Sequence, residues 1–378
     1  MDASIISQVE AQALSESLRS GATLPASWYT SESIFVREMR AIFSRYWQYA
    51  CRMDEVASPG DYLACHAGNV PVVVVRNRNK EIAAFINVCR HRGAEIVRDG
   101  SRGNRNTLQC HYHAWTWGLD GSLRAAPGSA DEPGFKNEDY PLTPVPVALL
   151  GPFLFVKPDP QAPSWDETIG ELPRILQASP APLTTLQFRE RRTYDMKANW
   201  KIVVENFLEC YHCAVAHNGF ANLIDLNEYT IIPHRYFSTQ RGPLKSSAKT
   251  NADAACFLKE DGGQEGVYNY LWPNFMINLY PGRGNASTNI ILPVAPDRTL
   301  AIYDFYFEQG MPEAATIVAF IDQVQQEDII LCESVQRGLN SGCCNQGKLM
   351  IRYENGIQHF ERLVFEALTQ NERTGSLR

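Results

Sequence analysis

The chain has 378 residues, 44% hydrophobic and 20% charged, the make-up of an ordinary globular protein with room for two or three domains. Its net charge of −7 argues against a nucleic-acid surface, which needs basic side chains to neutralise phosphate. No run approaches the roughly 18 uninterrupted apolar residues of a membrane helix, and the opening MDASIISQVEAQ lacks the basic, apolar, small-residue order of a signal peptide, so a cytoplasmic protein without membrane contact is expected.

Residues 33–50 place Phe35, Met39, Phe43 and Trp47 at helical spacing. Short β-type runs follow at 61–67, 70–77 and 81–88, the last two joined by the polar turn Asn77-Arg78-Asn79-Lys80. Leu119-Asp120-Gly121 signals another hairpin. The stretch 157–187 is rich in proline (Pro158, Pro160, Pro163, Pro173, Pro180, Pro182) and suits a connector with one short helix. Beyond it, 188–198, 228–240, 267–280 and 289–308 read as an antiparallel sheet, with helices over 200–213 and 313–338. No internal repeat or low-complexity tract is present.

Ten cysteines in a reducing compartment should be thiols unless they are grouped for metal or redox work. Two are grouped with histidine: Cys89-Arg90-His91-Arg92-Gly93, and Cys110-His111-Tyr112-His113-Ala114-Trp115. The plainer reading is four unrelated buried residues on hairpins, which is improbable with only 8 histidines in the chain. Two thiolates and two imidazoles could bind zinc, but a finger pairs cysteine with cysteine and histidine with histidine. A Rieske cluster gives one iron both cysteines and the other both histidines, so each loop must offer one of each. These mixed halves meet that demand. Gly93 permits a tight turn, Tyr112, Trp115 and Trp117 are expected to shield the group, and His111 is read as a bystander.

A second constellation runs from Asn199 to His217. On a helix, Trp200, Val203, Val204, Phe207 and Tyr211 pack on one stripe while Glu205, Glu209 and His212 share another face. His217 would lie about 140° from His212 on a continuous helix, so the helix must distort or end near Ala214–Ala216 if both are to meet one metal. Two imidazoles and a carboxylate on one side of iron leave positions open for dioxygen. The third ligand must come from elsewhere. Within the helix at 313–338, Ile317, Ile321, Val324, Leu331 and Val335 form an apolar stripe with Asp328 in its middle. A carboxylate there is costly unless coordinated or paired; Glu327, on the flank, is the competing candidate. Cys210 and Cys213 read as small buried hydrophobes, because a disulfide between residues three apart on a helix is uncomfortable.

C-x-H-R-G with C-x-Y-H-x-W resembles the signature of the Rieske ring-hydroxylating oxygenases. Asn-Trp-Lys with E-N-x-x-E-x-Y-H-x4-H resembles the catalytic domain of their α subunits. The resemblance implies an α+β chain: a Rieske domain over 44–156, preceded by a helical segment (1–43) of the catalytic part, and a helix-grip-like catalytic domain over 157–378. It also implies a [2Fe–2S] cluster on Cys89, His91, Cys110 and His113, and a mononuclear non-haem Fe(II) on His212, His217 and Asp328. By position Glu209 corresponds to the acid that, in the family, links a Rieske histidine of one subunit (here His113) to an iron histidine of its neighbour (here His212) in a homotrimer. Many members carry Asp there, and a Glu still reaches two imidazoles. E-C-Y-H-C resembles members acting on carnitine, glycine betaine and stachydrine.

The implied chemistry is insertion of oxygen from O2 with electrons from NAD(P)H. The chain has no convincing G-x-G-x-x-G after a strand, so those electrons require a separate reductase, with or without a ferredoxin. Oxidative N-demethylation or C–N cleavage of a quaternary amine is the first expectation, and hydroxylation of an aromatic acid the alternative. Tyr268-Asn269-Tyr270-Leu271-Trp272-Pro273-Asn274-Phe275 could ring a cation with aromatic faces, or simply be sheet core. A non-catalytic zinc protein is the reading from another class; it would be colourless where a Rieske centre is brown.

Overall fold

The β-branched run from Val70 to Arg76 cannot lose its rotamers cheaply in a helix and is apolar on both faces. It forms the middle of a five-stranded antiparallel sheet in the computed structural model, which describes residues 7–178, 182–246, 256–257 and 262–370. Across that sheet the order is Arg102–Asn104, Asp61–Ala67, Val70–Arg76, Ile82–Ile86, Pro144–Val145. Val72 to Val75 are fully buried, because the sheet carries a core on each side. One core is built on Val73, Val75, Leu108, Trp115 and Trp117. The other is built on Val72, Val74, Leu154 and Val156. Two three-stranded sheets complete this unit, residues 42–165. The smaller hairpin sheet, Thr107–Gln109, Thr116–Gly118 and Leu123–Ala125, turns at Asp120-Gly121 as predicted, with Gly121 at φ 81°.

The second unit comprises residues 1–41 and 166–378. Its frame is a seven-stranded antiparallel sheet in the order Gln187–Met196, Arg298–Phe307, Asn285–Ala295, Phe275–Leu279, Glu265–Leu271, Phe237–Pro243, Thr230–Pro233. The helices Trp200–Phe207 and Ala314–Asn340 belong to the same unit. The Asn-Trp-Lys segment has a structural reason. Asn199 Oδ1 accepts from the Lys201 N–H at 3.0 Å and caps the first helix. Trp200 fills the core, and Lys201 forms a wholly buried ion pair with Glu38 at 2.5 Å. Trp200 Nε1 donates to the same carboxylate at 2.8 Å.

Three expected helices change. The one read over 33–50 is Glu32–Glu38 followed by a π-helical turn, Met39–Phe43, after which Gln48 begins a strand. The proline-rich connector carries two short helices, Trp165–Ile169 and Leu172–Gln177, rather than one. The helix read over 200–213 stops at Phe207, and a separate turn runs Cys213–Ala216. No helix among the described residues is long and apolar enough to cross a membrane.

Candidate metal centres

The two loops of the first constellation close in the same way. The N–H of Cys89 donates to Ala94 O at 2.7 Å, and that of Gly93 to Cys89 O at 3.0 Å. In the second loop Cys110 N–H donates to Trp115 O at 2.9 Å, and Ala114 N–H to Cys110 O at 3.0 Å. Each turn needs a left-handed residue four places after its cysteine: Gly93 at φ 73° and Ala114 at φ 58°. Repeating one turn twice brings the cysteines inward and the histidines outward. Cys89 and Cys110 are buried free thiols, hydrogen-bonded to each other, and burial pushes the Cys89 thiol up. The imidazoles of His91 and His113 meet edge to face with centroids 4.6 Å apart, and His91 is exposed.

Two sulfurs below two imidazoles are the donor set a Rieske cluster requires, sorted by depth. Trp115 stacks on His91 at 5.1 Å, and Trp115 and Trp117 are buried, which suits shielding. Tyr112 does not: it is 54% exposed and lies against His113, with the Arg92 guanidinium over its ring.

The second constellation converges because its helix breaks. Both oxygens of Glu209 turn back on its own loop, one accepting the backbone N–H groups of Tyr211 and His212, the other meeting His212 Nδ1. The freed carbonyl of Phe207 is taken by Gln240 Nε2 from the sheet at 2.6 Å, and Gly356 packs so closely on Leu208 that a Cβ would sit 2.3 Å from its carbonyl oxygen. The break also joins Cys210 to Cys213 as a disulfide across Cα atoms 5.0 Å apart. That corrects the reading of these residues as separate hydrophobes, since they no longer share a helix.

His212 Nε2 and His217 Nε2 lie 3.0 Å apart, with Asp328 Oδ1 at 3.5 and 3.0 Å from them. Ligand atoms about 2.1 Å from a first-row metal and at right angles are themselves about 3.0 Å apart, so the spacing matches three neighbouring positions around one ion. The outer nitrogens are both occupied by acids: His212 Nδ1 by Glu209 and His217 Nδ1 by Glu327 Oε2 at 2.7 Å. A carboxylate only accepts, so each neutral ring carries its proton on Nδ1 and aims a bare Nε2 at the third acceptor. With the rings neutral, two bare Nε2 atoms and a carboxylate oxygen would meet, an arrangement that a shared cation satisfies. Burial alone would lower both imidazoles, but hydrogen bonds to Asp328 and to their acids raise His217 and push His212 up to about 10. Burial would raise Asp328, and the two histidines hold it below the usual carboxylate range.

Asn206 and Glu327 are the residues sequence reasoning underused. Asn206 Nδ2 donates to Asp328 Oδ1 at 3.0 Å, and Glu327, weighed as a rival ligand, lies on the outer nitrogen of His217. The long helix also turns differently from the predicted stripe. Ile317, Ile321, Gln325, Cys332 and Gln336 are buried, whereas Val335 is 49% exposed. Polar Gln325 and Gln336 occupy the inner face because Tyr303 Oη and the Asn199 N–H donate to them, and a hydropathy pattern cannot anticipate such partners.

A cavity of about 120 Å³ opens on His212, His217 and Asp328. Phe220, Tyr229, Phe257, Tyr268 and Phe320 form much of its wall. Of the aromatic stretch 268–275 only Tyr268 faces it, while Tyr270, Trp272 and Phe275 are core.

Comparison with known proteins places both halves. Residues 46–142 match the Rieske [2Fe-2S] domain and residues 183–370 the ring hydroxylating alpha subunit (catalytic domain). The chain is 33% identical to the carnitine monooxygenase oxygenase subunit of Acinetobacter pittii (strain PHEA-2), covering 90% of this chain and 94% of that one. It is 32% identical to the chloroplastic choline monooxygenase of Amaranthus tricolor, covering 92% and 78%. A quaternary ammonium Rieske monooxygenase solved with its substrate L-carnitine superposes with a TM-score of 0.77 at 31% identity over 92% and 95% of the two chains. The naphthalene 1,2-dioxygenase of a Rhodococcus species, at 20% identity and TM-score 0.75 over 97% and 99%, shares the fold. With a Rieske domain, an α-subunit catalytic domain and relatives matched almost end to end, the chain belongs to the Rieske non-haem iron oxygenases, oxidoreductases that use a [2Fe–2S] cluster and a mononuclear iron.

Proposed function

We propose that the chain is the oxygenase component of a multi-component monooxygenase that oxidises a small quaternary ammonium compound by N-demethylation or C–N cleavage. The observation that carries this reading is the aromatic cavity beside three convergent ligand atoms. Aromatic faces attract an ammonium ion most strongly where water is excluded, and a methylated ammonium offers no N–H that would need a partner. Burial raises the phenols of Tyr229 and Tyr268, so both rings stay neutral, and the acids beside the cavity add a favourable field. The names of the relatives, carnitine and choline monooxygenases, support the same substrate class.

When bound, the iron activates dioxygen and the cluster feeds it electrons singly. His212, His217 and Asp328 would hold the iron from one side, with Glu327 and Asn206 fixing the ring and carboxylate that face it. Cys89 and Cys110 would hold the buried half of the cluster, and His91 and His113 the exposed half. Glu209, already on His212 Nδ1, is the acid that would reach the partner subunit's His113 in a homotrimer. Electrons would enter from NAD(P)H through a separate reductase. The Rieske domain is read over 44–156 and the catalytic part over 1–43 and 157–378.

Two measurements test this. Iron and acid-labile sulfide should be present at three and two per chain, with a brown Rieske spectrum. Choline, carnitine or glycine betaine should stimulate oxygen uptake with a reductase supplied. Colourless, sulfide-free protein after iron reconstitution would sink the family chemistry; oxygen uptake driven by an aromatic acid and by none of the amines would sink the substrate class.

A further inference from the structure

We infer that Gln240 is a positioning residue with two tasks at the site: its one amide fixes Tyr229 in the cavity wall, and it ends the helix so that Glu209 is free to hold His212. The ligand half of the inference rests on the quaternary-ammonium reading; the iron half does not.

Gln240 stands on the strand Phe237–Pro243, directly opposite Tyr268 on the neighbouring strand Glu265–Leu271. Opposed residues share a face of the sheet, and both of these line the cavity. The Gln240 side chain is 1% exposed, and its amide is hydrogen-bonded at both ends. Oε1 accepts from Tyr229 Oη at 3.1 Å, and Nε2 donates to Phe207 O at 2.6 Å. Tyr229 also lines the cavity, its ring 18° from parallel with that of Tyr268 and 6.5 Å from it.

In a continuing helix the Phe207 carbonyl would accept the N–H four residues on, that of Tyr211. Here Gln240 takes the carbonyl, and the Tyr211 N–H donates to Glu209 instead. Through its other oxygen the same carboxylate meets His212 Nδ1. Without a donor from the sheet, Phe207 O would stand unsatisfied or reclaim the Tyr211 N–H, and Glu209 would lose a bond that holds it on the histidine. At the other end of the amide, Tyr229 Oη would lose its acceptor and the ring its fixed setting in the wall. One side chain thus serves the ligand through Tyr229 and the iron through Glu209.

A double-mutant cycle on the iron- and cluster-loaded full chain separates the two tasks. Choline affinity is read by calorimetry at saturating iron, and retention of the mononuclear iron by chelator competition. Tyr229→Phe removes the wall bond alone: choline should bind about fivefold more weakly, with iron retention within about twofold of the parent. Gln240→Leu removes both bonds, and should weaken choline by at least as much and iron by about tenfold. Added to Tyr229→Phe, it should cost iron the same factor of about ten but choline less than about twofold more, since the wall bond is already gone. A residue that only supports the fold would move both readouts together in every variant. Iron retention unchanged in Gln240→Leu, choline affinity unchanged in Tyr229→Phe, or losses that merely add in the double variant would overturn the inference. Failure of the parent to bind choline would overturn the quaternary-ammonium reading and the ligand half with it, and the iron readout then decides the other half.

Discussion

The two candidate metal centres are built by opposite means. The cluster loops are local. Each spans six residues, makes the same pair of backbone hydrogen bonds, and delivers one cysteine inward and one histidine outward from its own turn. The mononuclear site joins residues more than a hundred positions apart, and it exists only because a helix stops at Phe207. Its candidate ligands are held by further side chains of the same unit: Glu209 and Glu327 on the imidazoles, Asn206 on Asp328, Gln240 and Gly356 at the helix end. A local site tolerates change elsewhere in the fold, whereas a convergent site inherits every packing error of its supports.

That contrast can be broken outright at the ligands. His217→Ala should remove the mononuclear iron, lowering iron from three to two per chain, and cut turnover by more than about 100-fold, the upper end for even an outer-shell change. The cluster spectrum should be unchanged. Metal analysis beside the visible spectrum decides it, and joint loss of both centres would show the two sites to be structurally coupled.

A milder break is Glu327→Gln. It keeps the size of the side chain but weakens the acceptor on His217 Nδ1, and should reduce mononuclear iron affinity by about 10- to 100-fold in a chelator competition. Unchanged affinity would return Glu327 to the role of a surface acid.

Gly356→Ala probes the support from behind. A Cβ 2.3 Å from Leu208 O must displace the helix end, so the variant should lose about 1–3 kcal/mol in denaturant unfolding, with weakened iron retention. A stable variant with normal iron would mean that the helix end relaxes freely.

The catalytic unit also buries acids, as the Glu205–Tyr29–Glu361 group shows. Tyr29 Oη lies 2.7 Å from Glu205 and 3.1 Å from Glu361, and one phenolic proton cannot serve both. Burial raises Glu361 to about 7 from an ordinary 4.5. A carboxyl raised in the folded state contributes its full stability below about pH 4.5 and loses it as pH rises through about 7. Glu361→Gln should therefore flatten the fall in melting temperature between pH 5 and 8, a difference on the order of 1 kcal/mol. A fall of equal size in the variant would assign the titration to another group.

The smallest expected effects compare the two turns directly. Gly93→Ala places a side chain at φ 73° and should cost about 1 kcal/mol, while Ala114→Gly, at φ 58°, should be close to neutral. Thermal unfolding of the pair measures how alike the two turns are in energy.

Legibility followed the same division. The strands at 61–67 and 70–76 and the Asp-Gly hairpin were readable because period-two hydrophobicity and turn chemistry act over a few residues. So were the paired Cys-x-His and Cys-x-x-His loops. The helix from Trp200 was readable at its start, where Asn199 caps it, and not at its end, where the stop is imposed by Glu209, Gln240 and Gly356. Val335 misled because hydrophobicity alone cannot tell which side of a long helix meets buried glutamines that find partners.

Residue types, spacing and local turns were therefore settled along the chain: which side chains bear sulfur, imidazole or carboxylate, and which short loops carry them. The assembled fold alone decided that His212, His217 and Asp328 meet and that Glu327 lies on a histidine. The reason is physical. Local conformation depends on neighbouring residues, while the direction of a side chain across a sheet or around a broken helix depends on packing partners distant in sequence.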